Sequence, residues 1–111
     1  MVDYTPEKGD IVWLILNPQI GHEQSGRRPA VVLSPSSYNS KTGLAIFCPI
    51  TLKEKRYPFE VRIPDKCSVH GVVLADQVKS FDWRSRNAEY ICSIPLSLLK
   101  DISKKLMLLL P

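Results

Sequence analysis

Gly21-His22-Glu23-Gln24-Ser25-Gly26-Arg27-Arg28-Pro29-Ala30-Val31-Val32-Leu33 passes from a charged, glycine-bounded loop straight into an apolar run. The loop crowds together an imidazole, a carboxylate, an amide and two guanidiniums. The run from Pro29 to Leu33 reads as a short strand, stopped by Ser34-Pro35. Loops anchored by strands are where binding and catalytic groups concentrate. Arg28 stands at the junction, where the strand fixes its backbone.

The sequence on either side reads as more strands. Asp10-Ile11-Val12-Trp13-Leu14-Ile15-Leu16 is β-branched and aromatic and ends at Asn17-Pro18. Ser36 to Gly43 is a loop of turn formers, and Leu44 to Ile50 is a third strand with Pro49 near its end. Lys53-Glu54-Lys55-Arg56 is a charged turn. Phe59-Glu60-Val61-Arg62-Ile63 alternates apolar and polar, as a half-buried strand does. Pro64 to His70 is a loop, and Gly71–Ala75, Gln77–Phe81 and Tyr90–Cys92 continue the β pattern. Helical periodicity is clear only at the C-terminus. There Leu98/Leu99, Ile102, Leu106 and Leu109/Leu110 form one stripe after Pro95, expected to pack on the sheet. The fold expected is mainly β, a small antiparallel barrel with a C-terminal α-helix, in a single domain spanning residues 1–111. Trp13 is expected in the core, and Trp83 fits either core or surface.

Composition narrows the function. The chain has 15 Lys and Arg against 11 acidic residues, a net +4. The basic excess falls between residues 22 and 86, which suits a polyanion such as nucleic acid. Three cysteines with no C-x-x-C argue against a disulfide framework and against a zinc site. Cys48 and Cys92 are expected as buried thiols, and Cys67, in a polar loop, as exposed. No leader pattern and no membrane-length apolar run is seen, so a cytoplasmic protein without membrane contact is expected.

Three polar clusters interrupt the strands: His22, Glu23, Gln24, Arg27 and Arg28; then Thr51 with Lys53, Lys55 and Arg56; then Asp76, Gln77, Lys79 and Ser80, followed by Trp83-Arg84-Ser85-Arg86. All lie at strand ends and can meet on one face. The chain has no P-loop, no H-E-x-x-H and no G-x-S-x-G. Its two histidines lack ligand spacing, so neither metal nor cofactor is expected. RNA cleavage by internal attack suits such a set, because the nucleophile is the substrate's own 2′-hydroxyl. The protein must then assist removal of that proton, neutralise the phosphorane and protonate the leaving 5′-oxygen. Glu, Asp or His can serve as base, and an arginine fork matches two phosphate oxygens. A hydroxyl such as that of Thr51 can donate to the same oxygens. Tyr57, Phe59, Phe81 and Trp83 offer stacking surfaces for unpaired bases.

Gly21 to Leu33 fits G-x-E-Q-x-G-x-R-P-A-V-V-L, the first signature of the MazF/PemK (Kid-like) toxin endoribonucleases, and the chain resembles that family along nearly its whole length. Gly9 to Trp13 with Asn17-Pro18, Tyr38-Asn39 to Thr51, Tyr57 to Val61, and Ala75 to Ser80 with Trp83 to Arg86 match in the same order. The resemblance implies an SH3-like barrel of the MazF/CcdB type and a homodimer. It implies a toxin of a type II toxin–antitoxin system, an mRNA interferase that cuts single-stranded RNA at short motifs without metal or ribosome. The products would be a 2′,3′-cyclic phosphate and a 5′-hydroxyl, and the partner a MazE-like antitoxin that covers the RNA groove. Arg28 falls on the family's catalytic arginine and Thr51 on its catalytic threonine. Glu23 matches a loop glutamate implicated in activity, and His22 a histidine found in some members. Asp76 aligns with an aspartate proposed as base in the Kid-like branch. That branch has an arginine two residues earlier, where this chain has Leu74, so Arg28 and Thr51 form the expected central pair. Lys55 aligns with an RNA-contacting basic residue. Gln24, Arg27, Lys53, Arg56, Gln77, Lys79, Arg84 and Arg86 are the remaining candidates for holding RNA. A non-catalytic RNA-binding barrel and a CcdB-like gyrase toxin are the alternatives. The second would need a Trp-Gly-Ile ending, which is absent from Leu108-Leu109-Leu110-Pro111.

Overall fold

A computed structural model describes residues 4–15, 26–65 and 67–110. The elements run β1 (Asp10–Ile15), β2 (Arg27–Val32), α1 (Ser36–Thr42), β3 (Leu44–Thr51), β4 (Glu60–Arg62), β5 (Val72–Leu74), β6 (Lys79–Asp82), β7 (Glu89–Ser93) and α2 (Leu96–Met107). The strands form one antiparallel sheet in the order β4-β5-β3-β2-β1-β7, with β6 pairing on β3. The mainly β architecture with a C-terminal helix is therefore the one the sequence leads one to expect.

Strand β3 is the branch point. Leu44 to Phe47 pair with β6, and Ile50 and Thr51 pair with β5 on the same edge. The partner changes at Cys48-Pro49, where proline's missing N–H makes a continuous ladder impossible. The segment between β5 and β6, which holds Asp76 and Gln77, emerges at this fork.

Side chains alternate along each strand, and here both faces are buried. Ile11, Val31, Cys48, Ile50, Val61 and Val73 form one cluster with Leu99 and Ile102 of α2. Val12, Leu14, Ala30, Val32, Ala45 and Phe47 form a second with Trp83 on the opposite face. This is why β1 reads as a continuous apolar run. The structure decides Trp83, which the sequence left open, and departs from expectation at Trp13. Trp83 is 4% exposed and its indole N–H donates to the Asn39 carbonyl at 2.9 Å. Trp13 is only partly buried and lies under the Arg27 guanidinium, 4.8 Å from the ring centroid.

Residues 36–43 are helix and turn rather than plain loop. The α1 segment starts after Pro35 and ends at Gly43, whose φ of 75° is the left-handed cap that glycine adopts freely. It has no apolar stripe. It is held by Asn39, fully buried, which donates to the carbonyls of Pro6 at 2.8 Å and Ser34 at 2.9 Å and accepts from the Ser34 hydroxyl at 2.6 Å.

The cysteines also correct the sequence reading. Cys67 is 7% exposed and is disulfide-bonded to Cys92, with Cα atoms 6.2 Å apart, so the bridge ties the loop after β4 to β7. Cys48 is a buried free thiol whose pKa burial pushes up to about 12. In α2, Leu99 and Ile102 pack on the sheet as expected, but the helix ends at Met107, and Leu109 and Leu110 beyond it remain 47% and 58% exposed.

Candidate active site

Strand β2 begins two residues before Pro29, so both arginines are strand residues. Arg28 sits opposite Leu14 and Arg27 opposite Ile15. Arg27 is partly engaged: its guanidinium pairs with Glu89 at 3.1 Å and covers Trp13. Both partners are about half exposed, so the pair adds at most about 1 kcal/mol to stability. Among the described residues no carboxylate lies within ion-pair distance of Arg28.

Thr51 ends β3, opposite Val72 of β5. Its Oγ1 accepts the Lys53 backbone N–H at 3.2 Å, which leaves the hydroxyl proton free to donate elsewhere. Gly71 lies against it. A Cβ there would run into the Thr51 carbonyl group, and the φ of 125° is one that glycine tolerates.

Three adjoining cavities share these residues. One of about 520 Å³ is lined by Trp13, Arg27, Arg28, Thr51, Lys53, Ser68, Val69 and His70, among others. A second, of about 550 Å³, runs from Thr51 and Lys53 past Lys55, Arg56, Tyr57 and Glu60 to Asp76 and Gln77. A third, of about 160 Å³, holds Arg28, Gln77, Lys79 and Phe81. Arg28, Thr51, Lys53 and Gln77 each border two of them, so the cavities read as one discontinuous groove.

Within the groove, Tyr57 donates its O–H to Asp76 Oδ2 at 2.8 Å. That bond raises the Tyr57 pKa above its ordinary value, because the carboxylate holds the phenolic proton. Glu60 Oε2 accepts the Lys55 backbone N–H at 3.0 Å. Arg56 has a φ of 57°, a left-handed turn that folds the 52–58 segment back toward β5.

The structure thus brings Arg28, Thr51, Arg27, Lys53, Lys55, Arg56, Asp76, Gln77 and Lys79 onto one face. Arg84 and Arg86 are in the turn after β6, where their guanidiniums lie 4.8 Å and 4.4 Å over the rings of Trp83 and of Phe81, the latter a residue of the third cavity. Neither lines the three cavities, and the burial of Trp83 removes it as a stacking surface. His22, Glu23 and Gln24 lie outside the described residues. The sequence reading missed Glu60, an ordinary polar position of an alternating strand, and His70, which looked like a loop residue. Only the pairing of β4, β5 and β3 puts them in the groove.

Known proteins resemble this chain in sequence and in fold. Residues 7–110 match the family model of the PemK-like, MazF-like toxin of type II toxin-antitoxin system. The Escherichia coli K12 endoribonuclease toxin MazF is 52% identical over 85 residues, 77% of this chain and 76% of that one. Escherichia coli endoribonuclease PemK is 30% identical over 110 residues, 94% of this chain and 81% of its own. A MazE-MazF crystal structure from Deinococcus radiodurans superposes with a TM-score of 0.93 at 54% identity, covering 97% of both chains. The groove residues, the strand order and these matches lead to one conclusion: the chain belongs to the PemK-like, MazF-like toxin family of type II toxin–antitoxin systems.

Proposed function

We propose that Arg28 and Thr51 form the reaction centre of this endoribonuclease toxin, cutting single-stranded RNA by 2′-hydroxyl attack on the adjacent phosphorus. The endoribonuclease activity comes with family membership. The observation that carries the assignment is that Arg28 and Thr51, from different strands, line one cavity of about 520 Å³ with Lys53 and His70.

In the proposed reaction the 2′-oxygen bonds to phosphorus, the P–O5′ bond breaks, and a 2′,3′-cyclic phosphate and a 5′-hydroxyl result. The fixed fork of Arg28 neutralises the non-bridging oxygens as charge builds on them. The free hydroxyl proton of Thr51 donates to the same oxygens. Glu23 or His22 assists the proton transfers. Asp76 holds Tyr57 by hydrogen bond and serves RNA binding rather than acting as base. Lys53, Lys55, Arg56, Gln77 and Lys79, with Gln24 of the preceding loop, track the RNA backbone. Arg86, whose guanidinium lies over the groove residue Phe81, continues this basic track at its edge, and Arg84 follows in the same turn.

The working protein is a homodimer, supported by the apolar side chains left exposed at the end of α2. Its partner is a MazE-like antitoxin whose acidic segment covers the basic groove, and its substrate is mRNA. Among the described residues no helix is long and apolar enough to cross a membrane. The proposed mRNA substrate makes the cytoplasm the site of action.

The test is incubation of the purified protein with a long single-stranded RNA in EDTA, with the fragment ends mapped. Cuts at one recurring motif bearing cyclic-phosphate and 5′-hydroxyl ends are expected. Arg28→Ala and Thr51→Ala should each lose at least about 100-fold in rate while keeping the wild-type circular dichroism. Intact RNA from folded protein would overturn the reading.

A further inference from the structure

The Cys67–Cys92 bridge borders a surface cleft of about 440 Å³, lined by Pro64, Cys67, Cys92, Ser93, Ile94 and Pro95. Cys67 is buried and Cys92 is partly exposed, so a small molecule in the cleft meets the bridge from the Cys92 side. From Cys67 the chain runs on through Ser68, Val69 and His70, and these three line a different cavity, the one that holds Arg28 and Thr51. Gly71 follows, packed against the Thr51 carbonyl group. The cleft and the reaction cavity have no lining residue in common. The five residues from Cys67 to Gly71 connect them.

Little else fixes that segment. Among the described residues, its backbone hydrogen bonds outside the sheet ladders stay within its own loop. The Cys67 N–H donates to the Pro64 carbonyl at 3.3 Å, and the Gly71 carbonyl accepts the Ile63 N–H at 3.0 Å. Val69 adds an apolar anchor in the core cluster that also takes in Cys67. Cys92, by contrast, belongs to β7 and pairs with Ile11, a fully buried residue of β1. The bridge therefore fastens a lightly held wall of the reaction cavity to a strand pair of the core. Fixing that wall matters, because a displacement of about 1 Å in a reaction geometry costs up to about 100-fold in rate.

We propose that the Cys67–Cys92 pair is a site of thiol–disulfide exchange that sets the rate of RNA cleavage. The bridged form holds the Ser68–His70 wall beside Arg28 and Thr51 and is the faster enzyme; the dithiol form is the slower one. The proposal rests on the endoribonuclease reading above. Disulfides in reducing compartments are for the most part transient and redox-sensing, and the cleft gives this one an access route. A peroxide closes the pair. The Cys92 thiolate attacks hydrogen peroxide, becomes a sulfenic acid and releases one water; the Cys67 thiolate then attacks that sulfur, forms the S–S bond and releases the second water. Two thiols and one peroxide thus give one disulfide and two waters. A dithiol opens the pair. Its thiolate attacks the Cys92 sulfur from the cleft and expels the Cys67 thiolate, and its second thiol then displaces Cys92 and leaves as a cyclic disulfide. Cys48 is buried and does not line the cleft, so it takes no part.

In the experiment, wild-type protein is equilibrated over a series of oxidised-to-reduced dithiothreitol ratios. The bridge is counted by thiol labelling, and kcat/KM is measured on one short RNA. The rate is expected to fall about tenfold from the bridged to the dithiol form, and to follow the bridged fraction with a common midpoint. It should return when the dithiothreitol is removed and hydrogen peroxide closes the pair. Circular dichroism should stay native at both ends, and Cys92→Ser should cut at the dithiol rate with or without reductant. An equal kcat/KM for the two forms, with labelling showing full conversion, overturns the proposal with no variant involved. So does a Cys92→Ser protein that still responds to reductant, or a wild-type pair that labels as two thiols even after peroxide. A rate loss that comes with loss of the native spectrum makes the bridge a purely structural one and overturns it too. A protein that cuts no RNA in either form overturns the endoribonuclease reading and this control with it.

Discussion

Single residues here do work that their chemical type does not announce. Gly71 is an example. Its absent side chain is what lets the Thr51 carbonyl lie against it. Gly71→Ala would push the end of β3, and Thr51 with it, out of place. We expect at least about a tenfold loss in cleavage rate from such a displacement, with a loss of roughly 1–3 kcal/mol in urea unfolding from the strained φ. A rate equal to wild type would show that Thr51 tolerates the shift. Asn39 is the second example. It joins Pro6, Ser34 and, through its carbonyl, Trp83, and its truncation would leave several buried groups unpaired. Asn39→Ala should destabilise the protein by roughly 2–4 kcal/mol, read as a fall in the denaturation midpoint with an unchanged slope. Neither role was legible in the sequence. Asn39 sat among turn formers, and Gly71 looked like the start of a strand. What each touches is set by chain segments far away along the sequence.

The strands themselves were legible, because alternation and β-branching are written locally. Their ends were less so. Pro29 looked like the start of β2, yet the strand begins at Arg27, since a proline facing away from a ladder bond does not end a strand. Trp13 was expected in the core and is only partly buried, and Trp83, open in the sequence, is core, because a strand's pattern shows two faces but not what covers each one. The helix α1 was missed because a seven-residue polar helix has no apolar period to read. The disulfide was missed for a similar reason: Cys67 and Cys92 lie 25 residues apart, in a loop and a strand that only the sheet topology brings together. Closing a loop of that size restricts the unfolded chain, a stabilisation of about 3–4 kcal/mol on the chain-entropy model. Urea unfolding with and without a reductant should show that difference, and Cys92→Ser should abolish it. In a reducing compartment the same pair stands as two thiols. The reduced protein is the weaker of the two forms, not an unfolded one, because the bridge lies in only one of the two core clusters and the other is built without either cysteine.

At the scale of the whole molecule, the groove joins residues from β2, β3, the 52–58 loop and the segment after β5. The resemblance that placed Arg28 and Thr51 in the site did so from aligned motifs, while Glu60 and His70 had to wait for the topology. The segment after α2 carries Leu108, Leu109 and Leu110, each about half or more exposed. We expect the free protein to sediment as a dimer at micromolar concentration. Leu109→Lys combined with Leu110→Lys should shift it toward monomer, and an unshifted coefficient would place the dimer contact elsewhere.

The Cys67–Cys92 bridge closes a covalent ring that contains β5, β6, the fork segment with Asp76 and Gln77, and the turn that carries Arg84 and Arg86. The groove is therefore partly inside the ring and partly outside it, with Arg28 and Thr51 beyond its boundary. A protease that nicks the exposed 84–87 turn would leave an oxidised molecule in one piece, with β7 and α2 still joined through sulfur to the segment that carries the groove. The same nick in the reduced molecule would yield two fragments with Asp76 on one side and Glu89 on the other. Redox state would then decide whether a cut chain is still a single molecule.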